Sequence, residues 1–181
     1  MAKQFPALDA DHRAFIAAQH LFFVATAAPD GHVNLSPKGR DSLRVMADDR
    51  IMWRNLTGSG NETAGHLLLA NRITLMWCSF TTRPLILRVY GTASVIHRGD
   101  EGWAALDALF PSDPGARQIF DVSVTLVQTS CGYAVPFMEF QAERDTLLTW
   151  AKDKGEAGMP AYWQARNRQT IDGFPTGMPE P

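Results

Sequence analysis

The chain has 181 residues, of which 45% are hydrophobic and 20% charged, and its formal net charge is −2. These values are ordinary for a globular protein and exclude a disordered, collagen-like or coiled-coil chain. A nearly neutral chain gives no electrostatic reason for binding nucleic acid or an anionic membrane, so we expect neither partner. The length predicts a single domain over residues 1–181.

The cysteine content and the N-terminal sequence bear on the cellular compartment. The two cysteines, Cys78 and Cys131, cannot form a disulfide framework and are expected to be free thiols. Residues 1–9 contain no apolar stretch typical of a signal peptide, and no apolar run in the chain approaches membrane-spanning length. We therefore expect a cytoplasmic protein.

The first part of the chain alternates between short strand patterns and turns. Asp9 is placed to cap a helix that runs to about Gln19. Pro-Asp-Gly-His at 29–32 is a turn sequence, because proline presets φ and glycine accepts positive φ. The strands predicted around these features are Leu21–Thr26, His32–Ser36, Ser42–Met46 and Arg50–Asn55.

The rest of the chain adds longer strands and several helices. In the long strand Leu85–Ile96, one face is apolar and the other carries Arg88 and Tyr90, so we expect one face in the core. In all, the pattern predicts about six antiparallel strands in meander order, closed into a small barrel with peripheral helices. The further strands are Arg72–Phe80 and Phe120–Gln128, and the helices are a segment after residue 63, Glu101–Phe110, Arg144–Lys154 and Pro160–Gln169.

The loop over residues 57–63 is the most informative local feature. Gly58 and Gly60 let backbone approach a ligand closely, and a helix is predicted to begin where the loop ends. Free N–H groups at a helix start favour an anion such as phosphate. The alternative is an ordinary capped loop, with Ser59 or Asn61 as the cap.

Two cationic residues on predicted strands also have alternative interpretations. Asn34, Ser36 and Lys38 alternate along one strand, and Lys38 could complete a phosphate site or be an exposed lysine at a strand end. Arg88 lies between two apolar residues and needs a partner, which could be a carboxylate, a subunit interface or an anionic ligand.

Other chemistry is not indicated. The five histidines have no metal-ligand spacing, and no C-x-x-C or H-E-x-x-H motif is present, so no metal site is expected. No side chain stands out as a general acid or base, so the catalytic residues stay unknown.

Several segments, taken in order, are similar to those of a known family. They are Phe22–Thr26, Asp30-Gly31, Val33–Gly39, Gly58–Thr63, Asn71–Ile73 and Leu87–Gly91. This succession resembles the pyridoxamine 5′-phosphate oxidase-like family of FMN-binding split β-barrels. The resemblance covers about residues 10–135, which would be the barrel core, and residues 136–181 would form a helical and extended C-terminal segment similar to a short, uncharacterised branch of the family.

The resemblance implies a homodimer that binds FMN at the subunit interface and exchanges electrons with a small-molecule redox partner. It places Lys38 on the phosphate and Asn34 and Ser36 along the flavin. From the partner subunit it brings Arg88 or Ile86 near the flavin, and we favour Arg88 for its chemistry. It assigns the phosphate loop and its neighbouring strand end to Asn55, Ser59, Gly60, Asn61 and Thr63.

The sequence also departs from the true oxidases of that family. They carry an arginine-lysine pair after the loop, where this chain has Asn61-Glu62-Thr63, and they end in an Arg-x-His motif that this tail lacks. We therefore expect an FMN-dependent oxidoreductase acting on an unidentified small substrate. The alternative is a non-enzymatic protein that binds, stores or senses flavin, deazaflavin or haem.

Overall fold

An antiparallel sheet of eight strands carries the fold in the computed structural model, which describes residues 2–180. Four helices flank the sheet, and a long irregular segment separates the last strand from the last helix. The elements are β1 (Lys3–Phe5), α1 (Ala10–Ala17), β2 (Leu21–Thr26), β3 (Asn34–Gly39), β4 (Leu43–Ala47), β5 (Arg50–Leu56), α2 (Glu62–Leu69), β6 (Ile73–Cys78), β7 (Ile86–His97), α3 (Trp103–Asp107), β8 (Ala116–Ser130) and α4 (Thr146–Arg166).

The strand order confirms an antiparallel sheet but corrects the predicted meander and the predicted count. The order is β3-β2-β6-β7-β8-β5-β4, with β1 paired to β8. Only β6, β7 and β8 follow one another as a meander, while β2–β3 and β4–β5 are hairpins at opposite ends of the sheet. The strand β1 was missed because three residues are too few for an alternating pattern to show.

The core lies on one face of the curled sheet, as the alternation along β7 predicts. Leu87 and Val89 are fully buried, whereas Arg88 and Tyr90 on the other face are half-buried. The ring of Trp53 stacks on Phe120 of the neighbouring strand, with their centroids 4.6 Å apart. These aromatic and aliphatic side chains fill the space inside the half-barrel.

The predicted helices are present with modified bounds. Asp9 caps α1 as expected, because its carboxylate accepts a hydrogen bond of 2.8 Å from the backbone N–H of His12. The two C-terminal helices predicted from the sequence are present within α4, where they meet at the non-helical residue Gly155. Gly155 has φ 70° and ψ 179°, a backbone conformation that glycine adopts without a steric penalty.

The helices are too short or too polar to serve as membrane spans. Within residues 2–180, none combines the length and the apolar composition that crossing a bilayer requires.

Candidate functional site

The strand β3 presents its polar side chains to the inside of the half-barrel. Its residues Asn34, Ser36 and Lys38 alternate with the exposed Leu35 and Pro37. Directly paired residues on neighbouring strands project to the same face of a sheet. The three polar residues are paired with buried residues of β2, namely Thr26, Val24 and Phe22.

A cavity of about 240 Å³ lies between this strand and the loop that joins β5 to α2. It brings together eight of the nine residues that the resemblance implies for the cofactor. These are Asn34, Ser36, Lys38, Asn55, Ser59, Gly60, Asn61 and Thr63, and the rest of the lining is Gly58, Glu62 and Arg117.

On the loop side, the cavity is bordered by the backbone N–H groups of the loop and of the start of α2. Among the hydrogen bonds within residues 2–180, none uses the N–H groups of residues 59–63 as donors. The helix α2 begins at Glu62, and the side chain of its N-cap residue, Asn61, does not cap it. Unpaired amides and the positive end of a helix dipole therefore meet at the cavity, an arrangement that favours a bound anion.

Two cationic side chains face the same cavity. The Nζ atom of Lys38 lies 5.1 Å from the centre of the Trp53 ring, and burial together with the charge of Arg117 lowers the pKa of Lys38 to about 8. Burial also lowers the pKa of Arg117 to about 10. Within residues 2–180, neither cation forms an ion pair with a carboxylate, although Glu62 is close enough to raise the pKa of Arg117.

Arg117 is the functional candidate that sequence reasoning missed. It is 3% exposed, it donates to the carbonyl of Gly60 at 3.1 Å, and its Nε atom has no partner in the part of the chain that the structure describes. With the Asn55 carboxamide oriented so that its oxygen faces Arg117, a second bond of 2.8 Å forms. The apolar alternation of β8 becomes visible only at Phe120, so an arginine three residues earlier looked like part of a loop.

Two of the predicted residues have side chains that are already engaged within the protein. Asn61 accepts from Gln118 at 2.7 Å and donates to the backbone carbonyl of Asn167 at 3.2 Å. Asn34 uses its amide nitrogen to donate to Thr26 at 3.1 Å and to Thr63 at 3.2 Å. Asn61 is thus placed to offer a ligand its backbone N–H, while its side chain fixes the loop.

The contact between Asn34 and Thr63 also orients a donor toward the cavity. An amide nitrogen only donates, so the Thr63 hydroxyl accepts from Asn34 and its own proton is free to point elsewhere. Behind this pair, Thr26 also contacts the Nδ1 atom of the buried His66 at 3.1 Å. The contact with Asn34 therefore leaves the Thr63 proton available to a ligand at the start of α2.

Arg88 is the predicted residue that the structure does not bring to the cavity. It belongs to a row of directly paired residues on the outer face of the sheet, which comprises Pro37, Phe23, Met76, Arg88 and Gln128. This outer face is the side opposite to the cavity. Arg88 donates to the hydroxyl of Ser130 at 3.1 Å and forms no ion pair with a carboxylate of residues 2–180. Within one chain, Arg88 therefore cannot line the site.

The curled antiparallel sheet with flanking helices is the architecture of a split β-barrel. Its cavity lies between the edge strand β3 and the glycine loop and is lined by two cations. A family model described as pyridoxamine 5′-phosphate oxidase matches residues 8–131. The chain belongs to the pyridoxamine 5′-phosphate oxidase family.

Individual relatives agree with this assignment. The chain is 33% identical over 177 residues to the pyridoxamine 5′-phosphate oxidase family protein ustO of Aspergillus flavus, with 87% of this chain and 70% of that protein covered. HupZ of Group A Streptococcus has a similar fold, with a TM-score of 0.55 and 21% identity, covering 68% of this chain and 99% of that one. A candidate pyridoxamine 5′-phosphate oxidase of Lactobacillus delbrueckii gives a TM-score of 0.54 at 17% identity, covering 68% and 94%. These neighbours confirm the split-barrel fold.

Replacing Lys38 by methionine should stabilise the protein in the absence of a ligand. The folded state lowers the pKa of Lys38 from 10.5 to about 8, so the charged form opposes folding. Between about pH 8 and pH 10.5 the unfolded chain binds more protons than the folded protein, so the free energy of unfolding rises with pH. The destabilisation caused by the Lys38 charge is therefore lost over this range. We expect Lys38→Met to raise the melting temperature by several degrees at pH 7, by about 2–4 °C for each kcal/mol gained.

Thermal unfolding of both proteins from pH 7 to pH 10 measures this effect. The advantage of the variant should shrink steadily above about pH 8. An advantage that stays constant with pH, or a less stable variant at pH 7, would contradict the burial of an unpaired charge.

Proposed function

We propose that the protein binds FMN, with the phosphate in the cavity between β3 and the loop of residues 57–63. The observation that carries this proposal is the pair of cations, Lys38 and Arg117, which face one cavity together with unpaired backbone amides. A buried cation without a carboxylate is unfavourable unless an anion completes the site. A phosphate supplies two negative charges and several acceptor oxygens, which match this set of donors.

Each residue has a distinct part in this proposal. Lys38 would act as a point charge, while Arg117 holds the loop carbonyl of Gly60 and adds positive charge behind it. Ser59 and Thr63 would donate their hydroxyls, and the backbone of Gly60 and Asn61 would donate amides. Asn34 and Ser36 line the same cavity and would contact the part of the ligand that adjoins the phosphate.

The space next to the phosphate cavity is large enough for the remainder of such a ligand. A second cavity of about 780 Å³ shares Lys38, Asn55 and Gly58 with the first. It is lined by Trp53 on one side and by the irregular segment that includes Phe140 on the other. A polar end that continues into a partly aromatic cavity suits a molecule with a phosphate at one end and a fused ring at the other.

We also propose that the functional unit is a homodimer, in which Arg88 of one subunit approaches the flavin of the other. The support is the outer face of the sheet. Leu35 is 64% exposed and Val33 is 73% exposed at its edge, and Arg88 on the same face has no carboxylate partner within residues 2–180. A second copy of the chain would cover the apolar residues and bring Arg88 to an anionic or polar ligand.

FMN supplies a reversible two-electron carrier when it is bound, so an oxidoreductase is the activity that we propose. The chain would then bind the cofactor, orient it and exclude water. The alternative is a protein that binds or carries flavin without turnover.

The cofactor assignment predicts that purified protein is yellow, or becomes so when FMN is added. Lys38→Ala should weaken FMN binding by at least about tenfold and leave riboflavin binding unchanged, because riboflavin lacks the phosphate. The measurement is quenching of flavin fluorescence, with Lys152→Ala on the exposed face of α4 as the matched control. Colourless protein that ignores FMN, or equal loss of both flavins, would refute the assignment.

The proposed activity predicts that a reduced nicotinamide bleaches the visible absorbance of the FMN-loaded protein under anaerobic conditions. Bleaching should be faster than for free FMN at the same concentration, and air should restore the colour. Stopped-flow absorbance with NADH and NADPH measures this. Rates equal to those of free FMN would favour the non-enzymatic alternative.

The dimer predicts that Leu35→Glu weakens self-association. A carboxylate placed in an apolar contact loses its hydration, and we expect the dimer dissociation constant to rise by at least about tenfold. Sedimentation analysis measures this constant. Leu109→Glu, at another exposed leucine outside the sheet face, is the control and should leave the dimer intact.

A further inference from the structure

We propose that the C-terminal residues 163–176 form the outer wall of the phosphate site, and that Asn167 is a positioning residue for the loop. This inference rests on the proposed binding of FMN and extends it to a segment outside the family match, which ends at residue 131. Within the chain, Asn167 is more than 100 positions away from the loop that it contacts.

Asn167 is fully buried behind the loop and bonds to it in both directions. Its side-chain nitrogen donates to the carbonyls of Gly58, at 3.2 Å, and Ser59, at 3.4 Å. Its own backbone carbonyl accepts from the side chain of Asn61 at 3.2 Å. One asparagine therefore bonds to three residues of the loop, Gly58, Ser59 and Asn61.

These contacts determine which way the loop amides point. In a trans peptide unit, the carbonyl of one residue and the N–H of the next point in opposite directions. When the carbonyls of Gly58 and Ser59 face Asn167, the N–H groups of Ser59 and Gly60 face the other side, where both residues line the cavity. The Gly60 carbonyl is held by Arg117 in the same manner, which directs the N–H of Asn61.

The same segment fixes both ends of the loop. At its start, the indole N–H of Trp163 donates to the Thr57 hydroxyl at 2.8 Å, which in turn donates to the carbonyl of Gly115 at 2.7 Å. At its end, the N–H of Ile171 donates to the carboxylate of Glu62 at 3.0 Å. This bond holds the Glu62 carboxylate against the wall beside the cavity. Without it, the carboxylate would be free to turn toward the anion.

The wall itself is held in place by close packing. The hydroxyl of Thr176 donates to the carbonyl of Asn167 at 2.7 Å. The helix α2 carries glycine at position 65 where it meets the segment, and a Cβ atom there would lie 2.4 Å from the methyl carbon of Thr170. A larger residue at position 65 would push the segment away from the loop.

The experiment compares FMN and riboflavin binding in Asn167→Asp and Thr176→Val variants of the full chain. Asn167→Asp keeps the size of the side chain but replaces the donor by an acceptor, so the loop carbonyls lose their partner. We expect FMN to bind at least about tenfold more weakly in Asn167→Asp and about threefold more weakly in Thr176→Val. Riboflavin binding should change less than about twofold in both, because Ser59 and Gly60, whose amides Asn167 orients, line the phosphate cavity and not the cavity proposed for the ring.

The control is Lys152→Ala, which lies on the exposed face of α4 and outside residues 163–176. It should bind both flavins as the wild type does. If the wild type binds FMN and the Asn167 and Thr176 variants bind it equally well, or lose FMN and riboflavin to the same extent, the positioning role is refuted. If the wild type binds neither flavin, the proposed function fails and this inference fails with it.

Discussion

Two positive charges that face one cavity and form no ion pair with a carboxylate of residues 2–180 are the constraint on which the site depends. Lys38 comes from the edge strand β3 and Arg117 from the start of β8, and the charge of Arg117 disfavours the charged form of Lys38. Such an arrangement is unfavourable for folding alone, so the rest of the structure must stabilise it. The stacked aromatic core around Trp53 and the hydrogen-bonded antiparallel sheet provide that support.

The strand β3 couples the cavity to the outer face of the sheet. Its even-numbered residues line the cavity and its odd-numbered residues, Leu35 and Pro37, lie on the outer face. A shift of the strand by one residue would exchange the two sets. Association of two chains through the outer face would therefore fix the register of the residues that hold the ligand, which links assembly to binding.

Much of this organisation was predictable from local sequence. The alternation in β7, the turn before β3 and the glycine loop are each determined by a few neighbouring residues. The structure has all three at the predicted positions. Eight of nine implied cofactor residues line one cavity because they lie on two short segments that the fold brings together. Their binding of FMN is still a prediction.

The parts that sequence reasoning missed depend on distant contacts. Nothing near Arg117 signals that its guanidinium reaches a loop 57 residues earlier, and Asn167 looks like an ordinary helix end. The strand order was mispredicted for the same reason, since the pairing of β5 with β8 joins segments that are far apart in the chain. Local patterns specify elements, whereas partners across the sheet depend on the whole fold.

The position of Asn167 has a consequence for how the protein is made. Residues 57–63 are synthesised more than 100 residues before the asparagine that turns their carbonyls away from the cavity. During synthesis on the ribosome, the sheet can begin to form while the loop still lacks its wall. Under the proposed function, the phosphate site would be complete only after the last helix has left the ribosome and docked, so that a nascent chain would bind FMN more weakly than the finished protein.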